Sequence, residues 1–238
     1  MDLKAHLQNN SISSKDFDTL AKLLLNKSVI RVGNKNYRLL EIEFYLYSSS
    51  HPDLITYPRI DNEGGHWFFH QSGVDICFHS NCKTTENNQY CLDDSNKFGG
   101  ILIRSMVEIG CDINKKAELK PIHGPLKCLD ELFKTFGALE NNRNVNQIPI
   151  IDECSSLSEE RVMKTQRYIR IINTAEDKIK SILKYTYNCE GADISSAAEL
   201  IKKDTPYLYR YYIEPKEVQK DVLWKNYPAK PKNGIHVS

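Results

Sequence analysis

Residues 39–47 alternate between two kinds of side chain, and this alternation constrains the fold of the chain more than any other feature. One set is wholly apolar and consists of Leu40, Ile42, Phe44 and Leu46. The other set carries the carboxylates and phenols and consists of Leu39, Glu41, Glu43, Tyr45 and Tyr47. A period of two is that of a β-strand, in which successive side chains point to opposite faces. The stretch therefore predicts a strand with one core face and one face that sets two glutamates among phenol rings.

The two glutamates of this strand have two interpretations. A carboxylate beside aromatic rings is partly shielded from water, which raises its pKa and suits it to proton transfer. Alternatively, the strand is half-exposed and Glu41 and Glu43 are solvated. The strand alone favours the second interpretation, so the rest of the chain has to decide between them.

The composition is that of an ordinary globular protein, with 238 residues of which 40% are hydrophobic and 26% charged. A formal net charge of +1 lacks the basic excess of a general nucleic-acid binder. The seven cysteines are odd in number and show no paired spacing, which predicts reduced thiols. A metal site is not predicted, because no standard zinc spacing occurs among the candidate ligands His70, Cys77, His79, Cys82 and Cys91.

The sequence also bears on where the protein works. Residues 1–10 are polar and lack the apolar segment of a signal peptide. No run of residues approaches the ~20 apolar positions that a membrane-spanning helix needs. We therefore expect a cytoplasmic protein without a membrane partner. We also expect a monomer.

Apolar spacing and turn residues predict a mixture of helices and strands along the chain. Helices are predicted over 15–25, 126–133, 175–187 and 195–203, with a further short helix starting at 158–161. Strands are predicted over 28–32, 37–47, 99–106, 148–151, 167–172 and 207–213, and 66–78 forms two strands or one strand bent at Gly73. With no internal repeat and no linker, we predict one α+β domain over 1–238. About 12 N-terminal and about 15 C-terminal residues are expected to be loosely ordered.

Six stretches of the chain occur in an order that resembles the alkyladenine (3-methyladenine) DNA glycosylase family of monofunctional base-excision enzymes. The most informative is 41–45, Glu-Ile-Glu-Phe-Tyr, which is similar to the family signature Glu-Thr-Glu-Ala-Tyr. Ile-Leu-Ile-Arg-Ser at 101–105 is similar to Val-Leu-Ile-Arg-Ala, and Gly-Pro-Leu-Lys-Cys-Leu at 124–129 resembles Gly-Pro-Gly-Lys-Leu. The other three stretches are 20–32, 65–73 and the closing Pro206 with 210–212.

The resemblance implies a fold and an activity. It implies a single α+β domain with a curved, mostly antiparallel β-sheet flanked by helices, as in methylpurine DNA glycosylases. It implies hydrolysis of the N-glycosidic bond of alkylated or damaged purines in DNA, the first step of base excision repair. The implied partner is damaged DNA, single-stranded or as a weakly bound duplex, and no metal or cofactor is implied.

The resemblance also implies roles for particular residues. Glu43 matches the general base that activates water, and Arg104 matches an arginine near that water. The alternative for Arg104 is a structural ion pair with Glu41 or Glu43. Tyr45 matches the tyrosine that stacks on the extruded base, and the opposite wall maps to Phe69 or His70. For Tyr45 and Phe69 the alternative is core packing.

The sequence departs from the family pattern around the base pocket. Ser72 stands where the family has a tyrosine that fills the gap left by the extruded base, which affects intercalation into a duplex more than the pocket itself. The loop 48–64 is shortened, and His51 and Tyr57 are the candidates for a family histidine that contacts the base. These departures leave an alternative function, in which an altered or inactive member binds nucleic acid or a nucleotide without flipping a base from a duplex. A third alternative is a scaffold with no retained site.

Overall fold

The computed structural model describes residues 3–53, 55–59, 63–82, 96–110, 119–135, 148–168 and 207–237. The predicted helices over 175–187 and 195–203 lie outside the described residues, as does most of the predicted strand over 167–172. The helices are α1 (Leu3–Leu7), α2 (Phe17–Asn26), α3 (Pro125–Phe133) and α4 (Lys220–Leu223), with a 3₁₀ turn at Ser14–Asp16. None of these helices has the length and apolar character needed to cross a membrane.

Eleven strands form one sheet in the described part of the chain. They are β1 (Ser28–Val32), β2 (Lys35–Ser48), β3 (His51–Pro52), β4 (Trp67–His70), β5 (Gly73–Cys77), β6 (Lys97–Ile109), β7 (Pro121–His123), β8 (Ile150–Glu153), β9 (Met163–Thr165), β10 (Arg210–Tyr212) and β11 (Ile235–His236). The main path runs β11-β9-β10-β2-β6-β5-β4, while β1, β3, β7 and β8 pair off this path. The fold is α+β, with few helices and an open, mostly antiparallel sheet.

The central pair of the sheet is formed by β2 and β6. They run antiparallel over nearly their whole length, from Asn36 opposite Ile109 to Ser48 opposite Lys97. On its other edge β2 pairs in turn with β1, β10 and β3. The side chains of β2 alternate between the two faces of the sheet. Both faces are covered along most of the length of β2.

The apolar face of β2 is the core face, as the alternation predicts. Phe44 is fully buried and stacks on Phe17 of α2, with ring centroids 4.4 Å apart and planes 20° apart. Tyr211 of β10 meets Phe44 edge-on at 5.2 Å. Burying each such side chain contributes about 1.5–3 kcal/mol, so the packing of α2 on this face is a main source of the stability of the sheet.

Residues 66–78 form two strands rather than one bent strand. β4 and β5 pair antiparallel and turn at Gln71 and Ser72, with His70 opposite Gly73. Gly73 has φ +147°, and a Cβ atom there would lie 2.7 Å from Cβ of Pro125. The glycine thus allows the N-terminal end of α3 to approach the hairpin closely.

Some local predictions differ from the structure. The short helix predicted from 158–161 is wrong, because this segment is not helical and its groups bind buried side chains instead. Ser158 O accepts a hydrogen bond from Arg38 Nη2 at 2.7 Å, and Glu160 O accepts one from Asn26 Nδ2 at 2.8 Å. The predicted strand over 207–213 is shorter, Arg210–Tyr212.

The described residues near both ends of the chain pack on the domain. Leu3 and Leu7 of α1 are buried. At the other end β11 pairs with β9, and the Val237 N–H donates to Val162 O at 3.0 Å. The partners of the C-terminal strand are distant in sequence, so local patterning carries no signal for this pairing. The pairing brings the preceding segment, 224–229, over the polar face of β2.

Candidate functional site

A cavity of about 820 Å³ opens beside the polar face of β2, a volume within the ~300–1,000 Å³ of typical ligand sites. It lies between the end of β2, the β4–β5 turn, the β7–α3 junction and the C-terminal segment. Its rings come from Tyr45, Tyr57, His70, His123, Tyr168 and Tyr227. Its polar lining includes Gln71, Ser72, Asp75, Arg104, Lys127 and Lys225.

Glu43 lies directly behind this lining and is fully buried. Its Oε2 accepts hydrogen bonds from the Tyr45 hydroxyl at 2.8 Å and from Arg104 Nη1 at 3.0 Å. Its Oε1 accepts from the backbone N–H of Tyr168 at 2.8 Å. All three donors belong to residues that line the cavity. Among the described residues, these three donors occupy three of the roughly four acceptor positions of a carboxylate, and the fourth has no described donor.

Arg104 connects the two glutamates of β2 to the cavity. Its Nε donates to Glu41 Oε1 at 2.9 Å, its Nη1 to Glu43, and its Nη2 to the Tyr227 hydroxyl at 3.1 Å. Burial disfavours its charge, but Glu43 and Glu41 outweigh this effect and hold the pKa of Arg104 well above its usual value. The ion pair expected as one interpretation of Arg104 is therefore present, and the same side chain also lines the cavity.

Glu41 is the supporting carboxylate of the pair. Its Oε1 contacts both Arg104 and Arg210, the latter at 2.5 Å. Burial raises the pKa of Glu41 above its usual value, and the two arginines oppose this effect. With Glu43, these residues form a charge cluster of two carboxylates and two guanidinium groups. A buried cluster of this kind tolerates poorly the loss of one member.

Tyr45 is placed by the strand on the same face as Glu43. One face of its ring is covered by Arg167, whose Cζ lies 4.7 Å from the ring centroid. Burial raises the pKa of Tyr45 well above its usual value, so the phenol keeps its proton and donates a hydrogen bond to Glu43. The predicted wall residue thus lines the cavity and anchors the carboxylate behind it.

Arg167 and Asp53 form a buried pair that the sequence did not predict. Arg167 Nη1 donates to Asp53 Oδ2 at 2.7 Å, and Nη2 donates to Asp53 Oδ1 at 3.1 Å. Arg167 Nη1 also donates to the backbone O of Phe44 at 3.1 Å. This bidentate pair fixes the chain just before Tyr168, whose N–H then reaches Glu43. Asp53 raises the pKa of Arg167 despite its complete burial.

Of the two candidates for the opposite wall, His70 lines the cavity and Phe69 does not. Phe69 points to the other face of β4, where it is 54% exposed and meets Phe133 edge-on at 4.7 Å. His70 Nδ1 accepts from the Ser72 N–H at 3.2 Å, so Nε2 carries the proton that binds Asp75 Oδ1 at 3.0 Å. Both ring nitrogens are engaged, and His70 acts as a fixed wall.

Of three further predicted residues, two line the cavity and one does not. Tyr57 lines the cavity, with its ring 4.7 Å from that of His70. Ser72 lies at the exposed hairpin turn, and its Oγ is 3.4 Å from the Tyr57 hydroxyl. His51 does not line the cavity and lies among Tyr207 and Tyr209, at 5.3 and 5.6 Å. Of the two candidates for the base-contacting position, Tyr57 lines the cavity and His51 does not.

His123 and Tyr227 are cavity residues that sequence reasoning missed. Their rings stack with centroids 4.7 Å apart and planes 7° apart. His123 Nδ1 lies 2.6 Å from Ser105 Oγ, and burial lowers the pKa of His123 below its usual value. His123 directly precedes the Gly-Pro pair at the start of α3, which was the available signal. Tyr227 had none, since its position depends on the C-terminal pairing.

Metal-binding groups and similarity to known proteins do not identify the chemistry of the site. Within the described ranges, no three His, Cys, Asp or Glu side chains are grouped so that they could hold a metal ion. Cys91, one of the residues considered for zinc, lies outside those ranges. Comparison with models of protein families, curated proteins and solved structures finds no match.

Proposed function

We propose that this protein is a DNA-3-methyladenine glycosylase-like enzyme that hydrolyses the N-glycosidic bond of damaged purines. The carrying observation is that Glu43 binds Tyr45, Arg104 and Tyr168, and that all three line one aromatic cavity. A base-excision site needs such a combination, with a carboxylate at the end of a pocket whose walls stack on a purine. We also propose that the chain has the specific fold of this family.

In the proposed reaction, Glu43 accepts a proton from a water molecule as that water attacks the sugar carbon. The C–N bond breaks, its electron pair leaves with the purine, and the sugar passes through an oxocarbenium-like state. An alkylated purine already carries positive charge, so it departs without a general acid. Arg104 holds the Glu43 carboxylate through the hydrogen bond from its Nη1, and the negative charge of that carboxylate stabilises the developing cation.

In this proposal, water reaches Glu43 from the side of Tyr168. Glu43 is fully buried, and Tyr45 and Tyr168 stand between it and the cavity. Tyr168 is 42% exposed, so its ring is the less constrained of the two. Water enters beside Tyr168 and binds the unused acceptor position of the carboxylate. The purine itself is held between Tyr45 and the wall made by Tyr57 and His70.

The proposal is tested by single-turnover release of free base from methylated DNA. Chromatography detects free 3-methyladenine from single-stranded and duplex substrates, each compared with a control that lacks the protein. We expect release from both, with the single strand faster, because Ser72 is too small to fill the gap in a duplex stack. No release above the control from either substrate would contradict the proposal.

The complete burial of Glu43 favours a second candidate function, which is binding of a nucleotide without base release. Salt dependence separates the two. A protein that binds a DNA duplex by its phosphates should lose affinity with a slope of about −0.9 per phosphate in log K against log salt. A pocket for a free nucleotide should give a slope close to zero. We expect a clearly negative slope for methylated duplex DNA, measured by fluorescence anisotropy between low and physiological salt.

A further inference from the structure

The segment 224–229 forms a wall of the cavity although it follows the last strand of the predicted fold. Tyr227 is 8% exposed and lies flat against His123. The segment is fixed on its far side by the Thr165 hydroxyl, which donates to Lys232 O at 2.7 Å, and by the pairing of β11 with β9. Arg210 of the charge cluster donates to Ala229 O. The tail and the buried charges are thus parts of one packed unit.

The Tyr227 hydroxyl occupies a particular position on Arg104. Glu41 binds the Nε edge of the guanidinium and Glu43 binds Nη1, so two of its three nitrogens are held by carboxylates. Among the described residues, Nη2 donates its hydrogen bond to the Tyr227 hydroxyl, at 3.1 Å. The same hydroxyl is 3.5 Å from Glu41 Oε1. Each of the three guanidinium nitrogens therefore has a described acceptor, which opposes reorientation of the group.

We infer that Tyr227 is a positioning residue, which fixes the Arg104 guanidinium so that Nη1 remains on Glu43. Its chemical consequence rests on the proposed function, since a fixed Arg104 keeps the Glu43 carboxylate in place beside the cavity. The geometric part does not rest on it. Burial raises the pKa of Tyr227 to about 12, so its phenol is intact at neutral pH and offers the guanidinium an uncharged acceptor.

The geometric part is tested by NMR of the arginine side chains in the full-length protein. Tyr227→Phe keeps the ring on His123 and removes only the hydroxyl. We expect the rotation of Arg104 about Cζ–Nη2 to accelerate at least tenfold, because a hydrogen bond to a charged group is worth about a factor of ten or more. The Arg104 signals are assigned from their loss in an Arg104→Lys sample.

The matched control is Tyr212→Phe. Tyr212 is 7% exposed, its hydroxyl lies against Gly234 of the same tail, and it does not line the cavity. It should leave Arg104 rotation unchanged. Equal acceleration in both variants, or none in Tyr227→Phe, would overturn the inference, since the tail would then act only through general stability.

Base release adds the readout that concerns the chemistry. We expect Tyr227→Phe to lower kcat about tenfold with less than a twofold change in KM, while Tyr212→Phe changes neither. If the wild type releases no base but Arg104 rotation responds as expected, the proposed function fails and the positioning role stands. A rise in KM with unchanged kcat would instead identify Tyr227 as a binding wall and contradict its action through Arg104.

Discussion

Replacing Glu43 by glutamine should slow single-turnover base release by about 10³-fold, which lies within the range for loss of a general acid or base. Glutamine has nearly the same shape, but it cannot accept the proton of the attacking water. It also places a neutral group beside Arg104 and thereby removes stabilisation of the positive sugar. Release of free 3-methyladenine from methylated single-stranded DNA, followed under enzyme excess, measures the effect.

The control for this variant is available in the same charge cluster. Glu41→Gln removes one carboxylate of equal burial from the same two arginines, but Glu41 has no hydrogen bond to Tyr45 or Tyr168 among the described contacts. We expect Glu41→Gln to slow release far less than Glu43→Gln at equal folded fraction, verified by circular dichroism. Equal rates for the two variants would show that the cluster acts only through its total charge and would exclude Glu43 as the base.

The central residues of this site could be predicted from the sequence because their placement depends on local strand patterns. Alternation over 39–47 predicts that Glu43 and Tyr45 share a face, and the strand geometry places Tyr45 in the cavity lining and Glu43 directly behind it. The apolar run 99–106 with its single arginine predicts a buried strand, and the pairing of β6 with β2 brings Arg104 to the glutamates. Each of these inferences needs only the period of a strand and the cost of burying a charge without a partner.

The rest of the site depends on contacts between distant parts of the chain. Tyr168 and Tyr227 reach Glu43 and Arg104 through pairings of β9, β10 and β11 that no local pattern indicates. The choice between Phe69 and His70 shows a different difficulty. Adjacent residues of a strand face opposite sides, so an uncertainty of one position in a motif exchanges an exposed ring for a cavity wall. Only the register of β4 against β5 resolves it.

The arrangement of charges separates two tasks. Glu41 and Arg210 balance the cluster without lining the cavity, while Arg104 lines the cavity and Glu43 lies directly behind it. Asp53 and Arg167 form a second buried pair, on the other side of Tyr45. This second pair has no contact with the cavity, so its effect on the site is indirect and concerns the position of Tyr45 and the Tyr168 backbone.

Arg167→Met should accordingly destabilise the folded protein by about 3–5 kcal/mol, the usual cost of leaving a buried charge without its partner. Asp53 is fully buried. Without Arg167, the hydrogen bond that remains described for its carboxylate is the one from the Leu46 N–H, at 3.3 Å. Urea unfolding followed by tryptophan fluorescence measures the change in the free energy of unfolding. A loss below about 1 kcal/mol would contradict the burial and pairing described for Arg167, because that is the range of exposed ion pairs.

A double substitution distinguishes the loss of the pair from the loss of packing. Asp53→Asn in the Arg167→Met background removes the orphaned charge, so the double variant should be more stable than the sum of the two single losses predicts. The coupling should be at least about 1 kcal/mol, since the two side chains share two hydrogen bonds in a dry environment. If the losses simply add, Asp53 and Arg167 stabilise the chain independently. The alignment of Tyr168 N–H with Glu43 would then require another cause, and the hydrogen bond from Arg167 to the backbone O of Phe44 is the remaining contact that can supply it.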